Sequence, residues 1–281
     1  MATFERIGAP AKARRERDRR TGRPPLTMML LGFLFVAFLT VPLAALLWRA
    51  LQRAHAWNYF NDDIVVEALK LSLLTSTLTL IAAFVFGTPV AFMLGRYRFP
   101  GRRVVETMLD LPLVLPPVVA GIALLMAFGR RGVLGSELKF LGLELPFTTT
   151  AVVIAQFFVS APFFVRSAKA GFAAVDPDVE AAAQLDGASI WRVLVGISVP
   201  AAFPAMAAGA VLCWARALSE FGATQLFAGN FEGSTQTMPL AIMTAYESDL
   251  NAALAISVVL LAIAFLILML SRALTRGDSY T

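Results

Sequence analysis

Long apolar runs separated by short charged segments set the pattern of this chain. Six windows without a charged residue run over 24–48, 71–95, 111–129, 145–165, 193–215 and 250–271. Each is 19 to 25 residues long, enough to cross a hydrocarbon layer of roughly 30 Å as a helix. The alternation of apolar and polar positions that marks a membrane barrel is absent. The pattern predicts an all-α membrane protein with six transmembrane helices. The first window is too long for a signal-peptide core, and no small-residue cleavage site follows it, so it reads as a retained helix.

Composition agrees. The chain has 281 residues, 58% hydrophobic and 15% charged, too apolar for a soluble domain of this size. Cys213 is the only cysteine, so no internal disulfide is expected. The formal net charge is +5, and the run KARRERDRR at 12–20 supplies much of it. At the end of a membrane chain such a run is an orientation signal rather than a nucleic-acid patch. With the N-terminus inside, cytoplasmic segments hold 17 Arg and Lys residues and outer segments 7. This bias places both termini and the segment 166–192 in the cytoplasm. Three regions follow: a basic tail at 1–26, a transmembrane domain at 27–275 and a short tail at 276–281.

Local signals refine the map. His55, the only histidine, stands beside Trp57 and Tyr59 and reads as an interfacial residue, not a ligand. The third window carries Pro112, Pro116 and Pro117. Proline removes a backbone donor and bends a helix. The bend is either a tolerated kink or the wall of a pathway. Between the fourth and fifth windows, Asp176 before Pro177 signals a helix start and Gly187 a stop. A short helix over 177–186 results, too short and too charged to span. Ser189 can cap the next helix, which runs through Pro200 and Pro204 into the fifth span. After Arg216 the chain reads as an irregular, partly re-entrant stretch. Arg216 and Glu220 are four apart and share a helix face, expected near the outer end of span five, as an interfacial pair or a gate element.

Several chemistries are missing. No GxxxxGK[ST] occurs, nor any Gly-Lys pair, so this chain has no P-loop for ATP. There is no HExxH, and one histidine makes no histidine metal cluster. The apolar windows lack the ionisable residues of a gradient-driven carrier. The chain is therefore expected to be no enzyme, to hold no cofactor or metal, and to take its energy from another chain. A motor at the cytoplasmic face needs a handle, and the helix at 177–186 suits that role. Ala181, Ala182 and Ala183 allow close approach, Glu180 offers a carboxylate to the partner, and Gly187 turns the chain back sharply.

Glu180, Ala181 and Ala182, then Gly187, Ile197 and Pro200, resemble the EAA signature of permease subunits of bacterial ABC importers, with Val199 in place of the usual leucine. LPLVLPPVVAG at 111–121, GRRGVLG at 129–135, RALSEFGATQLFAGN at 216–230 and TQTMPLAI at 235–242 look like the molybdate branch of that family. The likeness covers roughly 65–272. Sulfate and thiosulfate permeases share much of it, so that substrate stays open, as does a passive channel. The resemblance implies a type I importer permease fold in the bacterial plasma membrane, with 177–186 as the coupling helix. It implies a homodimer in the lipid bilayer, two ATP-binding subunits carrying ATP and Mg, and an extracytoplasmic oxyanion-binding protein. It assigns ATPase coupling to Glu180, Ala181, Ala182, Gly187 and Pro200. It assigns the path or gate to Pro116, Pro117, Arg216, Ser219 and Glu220, with Ser219 where the family often has glycine. Glu220 is expected to hold the gate rather than bind an anion, since a bare carboxylate repels one.

Overall fold

The computed structural model describes residues 25–52 and 63–275. The basic tail up to residue 24, His55 with Trp57 and Tyr59, and the tail at 276–281 lie outside the described residues. Every element among the described residues is helical. The chain divides into two units, 1–49 and 50–281. The first is built on α1 (Leu26–Gln52), an apolar helix containing Pro42. Its Thr40 hydroxyl donates to Val36 O at 2.9 Å, as a hydroxyl facing lipid must find a partner within its own helix.

The second unit runs α2 (Asp63–Arg96), α3 (Arg102–Val114), α4 (Pro117–Phe128), α5 (Gly135–Phe140), α6 (Thr149–Ala174), α7 (Pro177–Leu185), α8 (Ile190–Val193), a π turn (Leu194–Ser198), α9 (Val199–Leu218), α10 (Gly222–Ala228), α11 (Met238–Ser248) and α12 (Leu250–Thr275). Its main core joins α2, α6 and α9 through Ala83, Ala91, Phe164, Phe172, Ala202 and Met206. Small residues set this packing. A Cβ on Gly171 would lie 2.7 Å from the Ala205 methyl, and one on Gly209 would lie 2.6 Å from Ser167 Cβ. Helices in lipid associate by such close approach, because lipid offers no hydrophobic drive between them. Ser167 Oγ adds a bond to Ala205 O at 2.7 Å.

Five helical runs are long and apolar enough to cross a membrane: α1, α2, α6, Ile190–Leu218 and α12. The expected third span is not one kinked helix over 111–129. It is two helices, α3 and α4, meeting at 119°. Leu115 and Pro116 are both extended, with ψ 135. Each precedes a proline, whose ring excludes the α region from the residue before it. Two consecutive prolines therefore break the helix where one would bend it. Two ion pairs hold α3 to the second half of α6: Lys169 Nζ lies 2.6 Å from Glu106 Oε1, and Arg166 Nε lies 3.6 Å from Asp110 Oδ1.

Candidate functional site

The α7 segment is built by its termini. The Asp176 side chain accepts from Asp178 N at 2.9 Å, and Pro177 occupies the first turn, where its missing N–H costs nothing. At the other end Gly187 has φ +87, Gly187 N donates to Gln184 O and Ala188 N donates to Ala183 O, both at 3.0 Å. This pair of bonds closes a helix through a left-handed residue.

Glu180 fastens α7 to the bundle. Arg96, the last residue of α2, donates from Nε to Glu180 Oε2 at 2.8 Å, and its Nη2 meets the same oxygen. Arg96 Nη1 donates to Val175 O at 2.8 Å, beyond the end of α6, where a cation complements the carbonyl end of a helix. Ser198 Oγ, in the π turn, donates to Glu180 Oε1 at 2.6 Å. Elements α2, α6, α7 and the π turn thus converge on one buried carboxylate. This corrects the expectation that Glu180 offers its carboxylate to a partner: both oxygens are used inside the chain.

The exposed surface of α7 and α8 carries several apolar side chains beside the polar Asp178 and Gln184. Ala181 and Ala182 are exposed, Leu185 is 89% exposed and Trp191 68%, with Val179 and Ile190 beside them in sequence and also exposed. Leu185, Ile190 and Trp191 went unread in the sequence. Their signal was three large apolar side chains flanking Gly187 in a segment too short to span. Pro200 sits in the first turn of α9 directly after the π turn and is exposed.

The second group forms around the break in span three. Arg216 Nη2 lies 2.6 Å from Glu220 Oε2, and Glu220 Oε1 accepts from Ala223 N at 2.9 Å, capping α10. Glu220 is 1% exposed. Ser219 is exposed, and its hydroxyl donates to Arg216 O at 3.2 Å. The α10 helix runs alongside α4: a Cβ on Gly222 would lie 3.0 Å from Pro117 Cβ, one on Gly121 would lie 3.0 Å from Ala223 O, and the Phe128 and Phe227 rings are 6.5 Å apart. Phe147 N, at the start of α6, donates to Phe227 O at 3.3 Å. Arg216 lies in the last turn of α9, at the end of the fifth span. Two residues after Glu220, Gly222 packs against Pro117, which adjoins Pro116. A carboxylate this buried is costly unless paired, and Arg216 supplies its partner.

A buried polar ladder adjoins it. Ser72, Thr75, Ser76 and Thr79 line one face of α2 and are fully buried. Met238 N donates to Ser72 Oγ at 2.7 Å, Trp214 Nε1 to Ser76 Oγ at 3.0 Å, and Thr79 Oγ1 to Gln156 Oε1 at 3.1 Å. The i, i+3, i+4, i+7 spacing of hydroxyls in the second apolar window was the available signal.

The chain's residues 87–277 match the model of the family described as binding-protein-dependent transport system inner membrane component. The putative molybdenum transport system permease protein YvgM of Bacillus subtilis is 44% identical over 190 residues, covering 67% of this chain and 84% of that protein. The molybdenum transport system permease protein ModB of Mycobacterium tuberculosis is 38% identical over 234 residues, 83% of this chain and 88% of that protein. The sulfate transport system permease protein CysT of Escherichia coli is 36% identical over 250 residues, 87% and 90%. A solved bacterial alginate ABC transporter chain superposes with a TM-score of 0.71 at 20% identity, covering 91% of this chain and 95% of its own. At that identity the likeness shows the fold.

Proposed function

We infer that this chain, which belongs to the family of binding-protein-dependent transport system inner membrane components, is the permease subunit of an ATP-driven importer for molybdate. The observation that carries the substrate is the 44% identity to a molybdenum permease, above the 36% to a sulfate permease. Molybdate and tungstate are tetrahedral dianions of similar size, so a system shaped for one accepts the other. Affinity belongs to an extracytoplasmic binding protein, whose fixed donors surround the oxygens. The permease provides the path.

Two copies of the chain form that path, and two ATP-binding subunits dock beneath them on the exposed faces of α7 and α8. Leu185, Ile190 and Trp191 supply the apolar contact, and Ala181 and Ala182 let the partner approach. ATP and Mg sit on those subunits, and both termini of this chain lie on the same cytoplasmic side. Displacement of α7 passes through Glu180 to Arg96 and Ser198. Ser198 leads into α9, a helix of 20 residues and so about 30 Å long. The far end of α9 carries Arg216, which holds Glu220, which caps α10 against Pro117. Closure of the motor thereby reaches the break in span three, where Pro116, Pro117, Arg216, Ser219 and Glu220 form the gate.

The test is reconstitution of this chain with its ATPase and binding protein, followed by uptake of labelled molybdate and sulfate at equal low concentration. Molybdate uptake that requires ATP and exceeds sulfate uptake is expected. Sulfate uptake that exceeds molybdate and survives excess unlabelled molybdate would move the assignment to sulfate. Uptake by the permease alone would make it a passive channel.

A further inference from the structure

A lateral groove of about 320 Å³ opens between α2, α3 and α6, lined among others by Phe86, Val90, Met108, Pro112, Phe157 and Val165. Its walls are apolar throughout, and it belongs to neither site described above. The α3 helix forms one wall through Met108, Leu109 and Pro112 just before the chain bends by 119° into α4. From Phe157 to Val165 the groove follows α6 for eight residues, about 12 Å at the helical rise. That is close to half of a hydrocarbon core roughly 30 Å thick, the depth of one leaflet.

The charge at its mouth is lopsided. Where the apolar lining ends at Val165, Arg166 and Lys169 follow on α6 and pair with Asp110 and Glu106 on α3, which also carries Arg102 and Arg103. Four cations meet two carboxylates. Glu106 is taken by Arg102 at 3.0 Å and by Lys169 at 2.6 Å. Arg166 lies 3.6 Å from Asp110 and its side chain is 64% exposed, beyond the reach of a normal charge-assisted hydrogen bond. Arg103 is exposed and stands seven residues before Asp110, two turns away on its face.

We propose that this groove holds an acyl chain of one anionic phospholipid, with the headgroup phosphate between Arg166 and Arg103. An apolar slot one leaflet deep accepts the chain, and a mouth with a net excess of cations selects an anionic headgroup, as basic pockets between membrane helices do. The lipid then braces α3 against α6 beside the broken span. The site needs no assumption about what the protein transports.

Native mass spectrometry of the full chain, purified in detergent and exchanged against phosphatidylglycerol or phosphatidylcholine, tests it. One phosphatidylglycerol is expected to stay bound where phosphatidylcholine washes off. Arg166→Gln lowers that preference about fivefold, the factor for one cation near an anionic surface. Met108→Trp, at an exposed groove position, removes the retained lipid whatever its headgroup. Equal retention of both lipids, or a retained lipid untouched by Met108→Trp, overturns the proposal. Loss of a dimer in Met108→Trp with no change in lipid also overturns it and assigns the groove to a second copy of the chain. Transport of molybdate or sulfate bears on neither outcome.

Discussion

Arg96 and Glu180, separated by 84 positions in sequence, are joined by a 2.8 Å hydrogen bond that ties the end of α2 to the middle of α7. Both side chains are 11% exposed. A pair this buried is costly to break from one side, since the remaining charge is stranded. Glu180→Ala is expected to lower stability by about 3–5 kcal/mol, read as a lowered Tm in detergent. Arg96→Met combined with Glu180→Met recovers most of the loss. A double variant as unstable as Glu180→Ala would show that the pair does more than neutralise charge.

Leu185 and Trp191 carry the opposite expectation. Both are largely exposed, so Leu185→Asp and Trp191→Asp leave the Tm near wild type. Each removes about 1.5–3 kcal/mol of apolar burial at the interface, roughly tenfold or more in affinity for the ATPase subunit. Co-purification and titration of the two subunits measure it. Unchanged ATPase binding in both variants would place the docking surface elsewhere.

Gly187 has φ +87 with open space around it, so a side chain there is opposed by backbone conformation alone. Gly187→Ala costs about 1–2 kcal/mol, and Gly187→Asn costs less, because asparagine tolerates the left-handed region. Thermal unfolding of the two variants compares them. Equal loss from Ala and Asn would mean that the cost is steric.

Much of this was legible in the chain. Asp176, Pro177 and Gly187 announced α7, because caps and left-handed stops act through neighbouring backbone atoms. The apolar windows placed five spans, because a hydrocarbon layer dictates length. Three features were hidden. The inward turn of Glu180 depends on Arg96 and Ser198, and a contact 84 residues away leaves no local pattern. The 119° break needed the additive effect of Pro116 and Pro117, which looked like a kink. The packing of α10 alongside α4, beside Pro117, is a choice made by Gly121 and Gly222 that hydropathy does not record.

That packing has its own consequence. A Cβ on Gly222 meets Pro117 Cβ at 3.0 Å and Val118 N at 3.2 Å, and backbone has little room to give. Gly222→Val is expected to push α10 off α4 and to make uptake leaky or slow, with substrate preference unchanged. Glu220→Gln keeps an acceptor for Ala223 N while weakening the hold of Arg216, and it changes rate rather than selectivity. Comparison of molybdate and sulfate uptake in these variants checks both. A shifted preference would make these residues part of the selectivity of the path.

The most direct test of coupling is the amount of molybdate moved per ATP hydrolysed by the reconstituted complex, wild type against Ser198→Ala. Ser198 touches Glu180 at 2.6 Å and lies in the turn that leads into α9, away from the exposed face. The variant is expected to bind the ATPase and hydrolyse ATP while uptake per ATP falls severalfold. Uptake per ATP equal to wild type, in a folded Ser198→Ala complex, would contradict transmission from α7 through Glu180 and Ser198 to the gate.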